Sequence, residues 1–280
     1  MLLIAFSETD LFSKNVFQKF SKTDKLRLVK DLQELTLYEL ENVKILYDKV
    51  RDLPFIDYVQ ELKEKIPELS EVRYIICVSR HEMKNPRPLL TVHTSGNWLK
   101  AEYGGIDNKV SLCDARLNSN LIRLMHKLAL DMKINEKYNV AMEATHHGPS
   151  VDMYVTFIEV GSTPSEWLDE KCHEVFIHLL SYIIEKFDTL LRNDGREIYV
   201  NIGDLHYLTI TNHVLNGEYD VGHTIPKYVK PSLENVSDAI VRTGPEVNGV
   251  IIHWKSVDRD VRELVVKVCE ERRLKIIKRK

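Results

Sequence analysis

The chain has 280 residues, 44% of them apolar and 29% charged, with a formal net charge of −3. This composition excludes a disordered or low-complexity chain, and the acidic balance excludes binding to nucleic acid by bulk charge alone. No apolar run approaches the ~18 residues of a membrane-spanning helix, and Met1 to Phe6 is too short for a signal peptide before Ser7, Glu8 and Asp10. The expectation is a soluble, cytoplasmic protein with no membrane partner.

In chain order, Leu2 to Phe6 reads as a short buried strand, Phe12 to Phe20 as a helix, and Thr36 to Leu40 with Val43 to Tyr47 as paired strands. Phe55 to Ile66 carries apolar residues at helical spacing and stops before Pro67. Arg73 to Val78 is apolar on both faces, as a central strand must be, and Leu89 to Val92 is a second such run. Leu117 to Met132 is an amphipathic helix, Val140 to Met142 a strand, and Tyr154 to Ile158 a strand followed by one long helix from about Pro164 to Leu191. Glu197 to Ile202 and Val250 to Ile252 are the last clear strands, and a helix from about Val257 to Arg272 ends in a basic stretch, the solvated end of that helix. Alternating strands and helices without a linker or repeat predict a single α/β domain over residues 1–280, a mostly parallel or mixed sheet with helices on both faces. The four cysteines are scattered without a C-x-x-C pair and read as small buried apolar residues.

Eleven histidines are the compositional excess. Polar clusters stand where the apolar runs end, which in an open α/β sheet is where ligands bind. These ends deliver His81, His93, the pair His146 and His147, Glu159 and His206. Adjacent side chains of an extended segment point to opposite faces, so one of His146 and His147 can enter a cleft while the other holds the loop that Gly148 and Pro149 turn. His93-Thr94-Ser95-Gly96-Asn97 gathers groups suited to a carbonyl or phosphate oxygen, or makes a plain polar turn. Thr163 and Glu166 fit a capping box, which leaves Glu159 unexplained as a carboxylate at the end of an apolar strand. His223 reads as a surface loop residue, and His126, His173 and His178 fall within helices as structural groups. No H-E-x-x-H spacing demands zinc.

Taken together, Ser79-Arg80-His81, His93-Thr94-Ser95-Gly96-Asn97, Glu143-Ala144-Thr145-His146-His147-Gly148-Pro149, Phe157-Ile158-Glu159-Val160-Gly161-Ser162 with Trp167, His206-Tyr207 and Gly222-His223 resemble the D-aminoacyl-tRNA deacylases of the archaeal and plant type. The motifs stand in the family's order over about residues 75 to 228. The resemblance implies hydrolysis of the ester joining a D-amino acid to the 3′ end of tRNA, a proofreading reaction. It also implies zinc dependence and a phosphorylase/peptidyl-tRNA hydrolase type of sheet, with tRNA as the partner and no obligate protein partner. One departure is Gly203-Asp204-Leu205-His206-Tyr207, where the family has Gly-Gly-x-His-Tyr.

Such a reaction needs a positioned water, a base and an oxyanion site. His146 and His147 lead as base or metal ligand, with His93 and His206 next, and Glu143 orients an imidazole or meets the substrate's α-ammonium, as does Glu159. The metal set expected is His147, His93 and His206. Substrate contacts are expected from His81, Arg80, Gly96, Asn97 and Thr145, and from Gly161, Ser162 and Tyr207, with backbone N–H groups near Gly96 or Gly161-Ser162 for the oxyanion. Arg80, Lys84, Arg87 and Lys227 near the motifs and Arg272, Arg273, Lys278 and Arg279 at the end of the chain are the cations available to tRNA. A non-catalytic tRNA- or nucleotide-binding relative and a peptidyl-tRNA hydrolase-like esterase are the competing readings.

Overall fold

A computed structural model describes residues 1–23 and 26–280. Eight strands form a mixed sheet in the order β2 (Arg27–Asp31), β3 (Leu35–Leu40), β4 (Val43–Asp48), β1 (Leu2–Ser7), β5 (Tyr74–Glu82), β8 (Tyr154–Ser162), β6 (Leu89–His93) and β7 (Asn139–Met142). The core strands β4, β1, β5 and β8 run parallel, but β6 is antiparallel to β8 and carries β7 parallel to itself. A second sheet, wholly parallel, has the order β10 (Asp220–Pro226), β9 (Ile198–Asp204), β11 (Val247–His253) and β12 (Lys275–Arg279).

The period of two along each strand separates two cores. Ile4, Ile76, Val78, Ile158 and Val160 pack under helices α1 (Leu11–Thr23), α3 (Ala115–Asp131) and α5 (Glu170–Leu190), in a cluster that also takes in Tyr199, Val221 and Ile251 of the second sheet. On the opposite face Ala5, Ile75, Cys77 and Phe157 pack against α2 (Val59–Lys65) and its flanking turns. Each fully buried Phe, Leu or Ile contributes about 1.5–3 kcal/mol by leaving water, so the sheet with both faces covered is the stable frame. Beyond Phe157, that second face turns polar. All four cysteines are free and buried, and among the described residues no helix is long and apolar enough to cross a membrane.

Several elements differ from the sequence expectation. The helix predicted over 55–66 is a 3₁₀ turn at Leu53–Phe55, capped by Asp52 and begun by Pro54, followed by α2 alone. The long helix predicted from Pro164 divides into α4 (Pro164–Trp167), with the Thr163/Glu166 capping box, and α5, because Asp169 takes an extended conformation and caps a new start by accepting from Lys171 N–H. The basic end of the chain is not a solvated helix end. After α8 (Arg259–Arg272), Arg273 adopts a left-handed conformation (φ 57°) and the chain returns as β12 beside β11, with Ile276 and Ile277 partly buried. The strands β2, β10 and β12 and the helices α6 (Thr211–Leu215) and α7 (Leu233–Thr243) were not legible.

Candidate active site

The antiparallel insertion of β6 decides where the chemistry gathers. Thr91 of β6 and Ser79 of β5 both stand opposite Glu159 of β8, and His81 stands opposite Gly161. Side chains two apart share a face, so His81, Glu159 and His93 project together from the middle of the sheet. The expected residues do gather into one site, but on the face of the sheet and not in a crevice beyond the strand ends, because β6 and β8 run in opposite directions. Gly161 makes the gathering possible, since a Cβ there would lie 2.9 Å from His81 Cδ2. Segment 143–150 then crosses over this face: Glu143 N–H donates to the Val92 carbonyl (3.1 Å) and Gly96 N–H to that of His147 (2.6 Å). His206 arrives from the loop after β9 of the second sheet, held by the Ala144 N–H that donates to its carbonyl (2.8 Å).

Three imidazoles converge with matching orientation. His146 Nδ1–H donates to the Ala144 carbonyl (2.8 Å), His147 Nδ1–H to that of Gly148 (2.6 Å) and His93 Nδ1–H to that of Thr94 (3.2 Å). The acceptors fix the tautomer and leave each Nε2 with its lone pair. His93 and His146 ring centroids lie 4.2 Å apart, His146 and His147 4.4 Å, and the ring nitrogens of the three fall within 4.8 Å of one another. Burial pushes His147 down to about 4 and His146 well below its ordinary value, with neighbouring imidazoles adding to the effect. Burial also opposes the charge on His93, but Glu159 outweighs it and holds that pKa above the ordinary value. The 3.6 Å between His93 Nε2 and Glu159 Oε2 is beyond hydrogen-bond range, and buried His93 Nε2 has no hydrogen-bond partner.

Two buried carboxylates face this group. Glu143 Oε2 accepts from His206 Nε2–H (2.9 Å), while Glu143 Oε1 has no hydrogen-bond partner. Glu159 Oε2 accepts from His81 Nδ1–H (3.1 Å), and His81 Nε2 meets the Tyr207 hydroxyl (2.6 Å), which donates onward to Met83 Sδ (3.4 Å). Burial works against charge on His81, yet Glu143 and Glu159 together raise it to about 9. Burial likewise opposes both carboxylates, but the surrounding imidazoles, His81 foremost, keep Glu143 and Glu159 well below the usual carboxylate range. The result is an ionic cluster of one imidazolium between two carboxylates, beside three imidazoles with free Nε2 atoms.

Of the expected metal set, His93 and His147 come together, but the third imidazole is His146; His206 groups instead with His81 and Glu143. The remaining expected contacts are held inside the protein. Arg80 pairs with Asp52 (3.0 Å) and Asp10 (3.7 Å) and lies over the Trp167 ring, so its charge is already matched. Asn97 Nδ2–H donates to the Gly104 carbonyl (3.0 Å), and the Ser162 hydroxyl to that of Arg87 (2.8 Å). The N–H groups of Gly96 and Ser162 are engaged by His147 and Glu166, which removes both from the oxyanion role. His223 is not a surface residue: it is fully buried, accepts from Thr145 Oγ1–H (3.0 Å) and donates to the Ser111 carbonyl (3.1 Å). Asp204, the departure from the family glycine, lies in neither cavity. Buried, it accepts from Asn201, Leu205 and Thr209 and lies 3.2 Å from His253 Nε2, fixing the turn that presents His206.

Two cavities open on either side of the His146–His147 pair. One, of about 460 Å³, is walled by Trp98, Leu99, Tyr103, Tyr228 and Val229; the other, of about 340 Å³, by Asp52, Arg80, His81, Glu82, Glu159 and His206. Sequence reasoning passed over Trp98, Tyr103 and Tyr228, because a single aromatic in a loop carries no pattern. Tyr228 stands only five residues beyond His223, and its hydroxyl meets His206 Nδ1 (3.1 Å).

Residues 69–277 match the family model described as D-aminoacyl-tRNA deacylase. The chain is 40% identical over 231 residues to the D-aminoacyl-tRNA deacylase of Caldivirga maquilingensis, covering 82% of this chain and 83% of that one. The D-aminoacyl-tRNA deacylase of Pyrococcus abyssi is 29% identical over 287 residues, 99% of this chain and 100% of its own. The crystal structure of a conserved protein of unknown function superimposes with a TM-score of 0.85 at 26% identity, covering 99% of this chain and 95% of that one.

Proposed function

The chain belongs to the D-aminoacyl-tRNA deacylase family, and from that premise we propose how its residues hydrolyse the ester of D-aminoacyl-tRNA. Water adds to the ester carbonyl, the bond to the ribose oxygen breaks, and free D-amino acid and tRNA leave. The observation that carries the assignment is the convergence of three imidazoles, each with Nδ1–H tied to a backbone carbonyl, beside a buried carboxylate oxygen without a hydrogen bond.

That donor set suits zinc: imidazoles whose Nε2 atoms carry no hydrogen bond, with carbonyls holding Nδ1–H from behind and a metal displacing any proton on His93 Nε2. His93, His146 and His147 would hold it, and the unpartnered His93 Nε2 is the observation that fits. Bound zinc lowers the pKa of a water and polarises a carbonyl. Glu143 Oε1 takes the proton of the attacking water, while His206 Nε2–H holds Oε2 and keeps the carboxylate aimed. The same proton then passes to the departing ribose oxygen. His81, charged between Glu143 and Glu159, keeps both carboxylates ionised, and Glu159 is placed for the substrate's α-ammonium. Tyr207 fixes His81 from its other nitrogen. With Arg80 neutralised, Arg87 and Lys227 are exposed cations flanking the site that can meet tRNA phosphate.

Because Asp204 is turned away from both cavities, the departure from the family glycine places no charge where the substrate lies, and the non-catalytic reading loses its motive. The test is release of D-amino acid from D-aminoacyl-tRNA, with the L form alongside, by metal-free and zinc-loaded protein. D-selective release that chelation abolishes and zinc restores is expected, with His147→Ala lowering bound zinc. Full activity of the metal-free protein would return His146 and His147 to the role of plain bases.

A further inference from the structure

The two cavities share Tyr103, His146 and His147 and otherwise have no lining residue in common. An ester held at His146 and His147 must send its two halves in different directions, the alcohol one way and the acyl group the other. The walls differ in the same sense as those halves. The larger cavity presents Trp98, Leu99, Tyr103, Tyr228 and Val229, with one cation, Lys100, and one carboxylate, Glu102, both exposed. The smaller one presents the carboxylates Asp52, Glu82 and Glu159 among Arg80, His81 and His206.

We infer that the larger cavity seats the terminal adenosine of tRNA and the smaller one the aminoacyl group, an assignment that rests on the deacylase reading above. A nucleobase is a flat, uncharged ring that gains from aromatic and aliphatic walls and would lose its stacking among carboxylates. Tyr103 and Tyr228 keep 45% and 62% of their surface exposed, and Leu99 51%, so their apolar faces await a partner. The 5′-phosphate of that nucleotide lies at the rim, where Lys100 and, one residue before Tyr228, Lys227 are exposed. The aminoacyl half carries the only positive charge in the substrate's reacting end, and the smaller cavity places Glu82, exposed and in no ion pair among the described residues, beside Asp52 and Glu159, which Arg80 and His81 face. Tyr103 stands as the partition, its hydroxyl donating to Asp52 (3.1 Å) on the polar side and its ring meeting the His147 ring, 6.2 Å between centroids. The adenosine side thus sets affinity for any tRNA, and the polar side sets which acyl group is accepted.

The probes are AMP and adenosine, titrated by calorimetry into the zinc-loaded wild type and into Leu99→Asp and Lys100→Ala, two exposed positions whose change leaves the core intact. AMP should bind the wild type, Leu99→Asp should weaken it about tenfold, equivalent to ~1.4 kcal/mol, and Lys100→Ala should remove the preference for AMP over adenosine. In turnover, Leu99→Asp should raise KM by one common factor for tRNAs carrying different D-amino acids, with little change in kcat, whereas Glu82→Gln should alter the ranking of D-amino acids and leave AMP affinity unchanged. Wild-type protein that does not bind AMP, or AMP affinity that follows Glu82→Gln and ignores Leu99→Asp, would overturn the assignment. Because AMP binding is read without turnover, a loss of deacylation in the wild type would count against the proposed activity and not against this seat.

Discussion

His223 shows how a motif histidine can serve the site without touching it. Its Nδ1 accepts from Thr145 and its Nε2–H donates to the Ser111 carbonyl, so the neutral ring joins β10 to the segment that carries His146. Burial pushes its pKa down from 6.5 to about 3. Between those values the unfolded chain binds a proton that the folded one does not, so stability from this residue is complete above pH 6.5 and is lost as pH falls toward 3. The loss reaches roughly 2 kcal/mol at pH 5. His223→Gln should flatten the fall in stability between pH 7 and pH 5 measured by denaturant unfolding, while lowering stability at pH 7; an unchanged slope would refute the assignment. Gly161 makes the complementary case. A methyl at this position meets His81 Cδ2 at 2.9 Å and its Cβ at 3.1 Å, so Gly161→Ala must move a charged imidazole held by Glu159 and Tyr207. Overpacking of this kind costs about 1–3 kcal/mol, and kcat for D-aminoacyl-tRNA should fall with it.

At the scale of elements, legibility followed pattern strength. The run around Ile75 to Val78 announced a central strand because both faces are apolar, Tyr154 to Ile158 was legible as a strand, and the amphipathic period from Leu117 marked α3, which starts two residues earlier at Ala115, capped by Asp114. Strand direction left no such mark: nothing in Leu89 to His93 says that it runs against β8, yet that reversal moves the site from the strand ends to the sheet face. β10 was hidden because Gly222, His223 and Pro226 interrupt its apolar residues, and their burial follows from tertiary contact with Thr243, Thr145 and β9. β12 was hidden by its lysines and arginines. It covers β11 with Ile276 and Ile277, while Lys275 pairs with Glu197 and Lys278 lies over the Trp254 ring. Truncation after Leu274 therefore removes a sheet strand and two half-buried isoleucines, which should lower stability by roughly 2–3 kcal/mol. The check is thermal or denaturant unfolding of the truncated chain, and an unchanged midpoint would return the basic end to a solvated tail.

On the scale of the whole molecule, the histidine cluster was readable because its residues sit in dense strings, whereas its assembly from two sheets was not. His206 reaches Glu143 only because the second sheet packs where it does. Three observations bind that placement to the first sheet. One apolar cluster contains Ile76 and Phe176 together with Tyr199, Val221 and Ile251. Arg123 of α3 donates to Asp220 (2.7 Å) and to the carbonyls of Val214 (2.7 Å) and Tyr219 (3.1 Å). Trp98 Nε1–H donates to the Thr224 carbonyl (3.1 Å) across the larger cavity's floor. An interface built from continuous core, a half-buried arginine and shared backbone bonds cannot open without exposing apolar surface on both sides, so the two sheets should unfold together. The three tryptophans are placed to report it: Trp167 beside β5 and β8, Trp254 at the end of β11, and Trp98 between the sheets. In each single-tryptophan variant, with the other two changed to phenylalanine, the fluorescence midpoint should coincide with that same variant's loss of far-ultraviolet ellipticity. If the Trp254 signal were lost well before the ellipticity of its own variant, while the Trp167 signal followed the ellipticity of its variant, the second sheet would be a separate unit. Deacylation should then disappear at the earlier midpoint, because Glu143 loses His206 as soon as the sheets part.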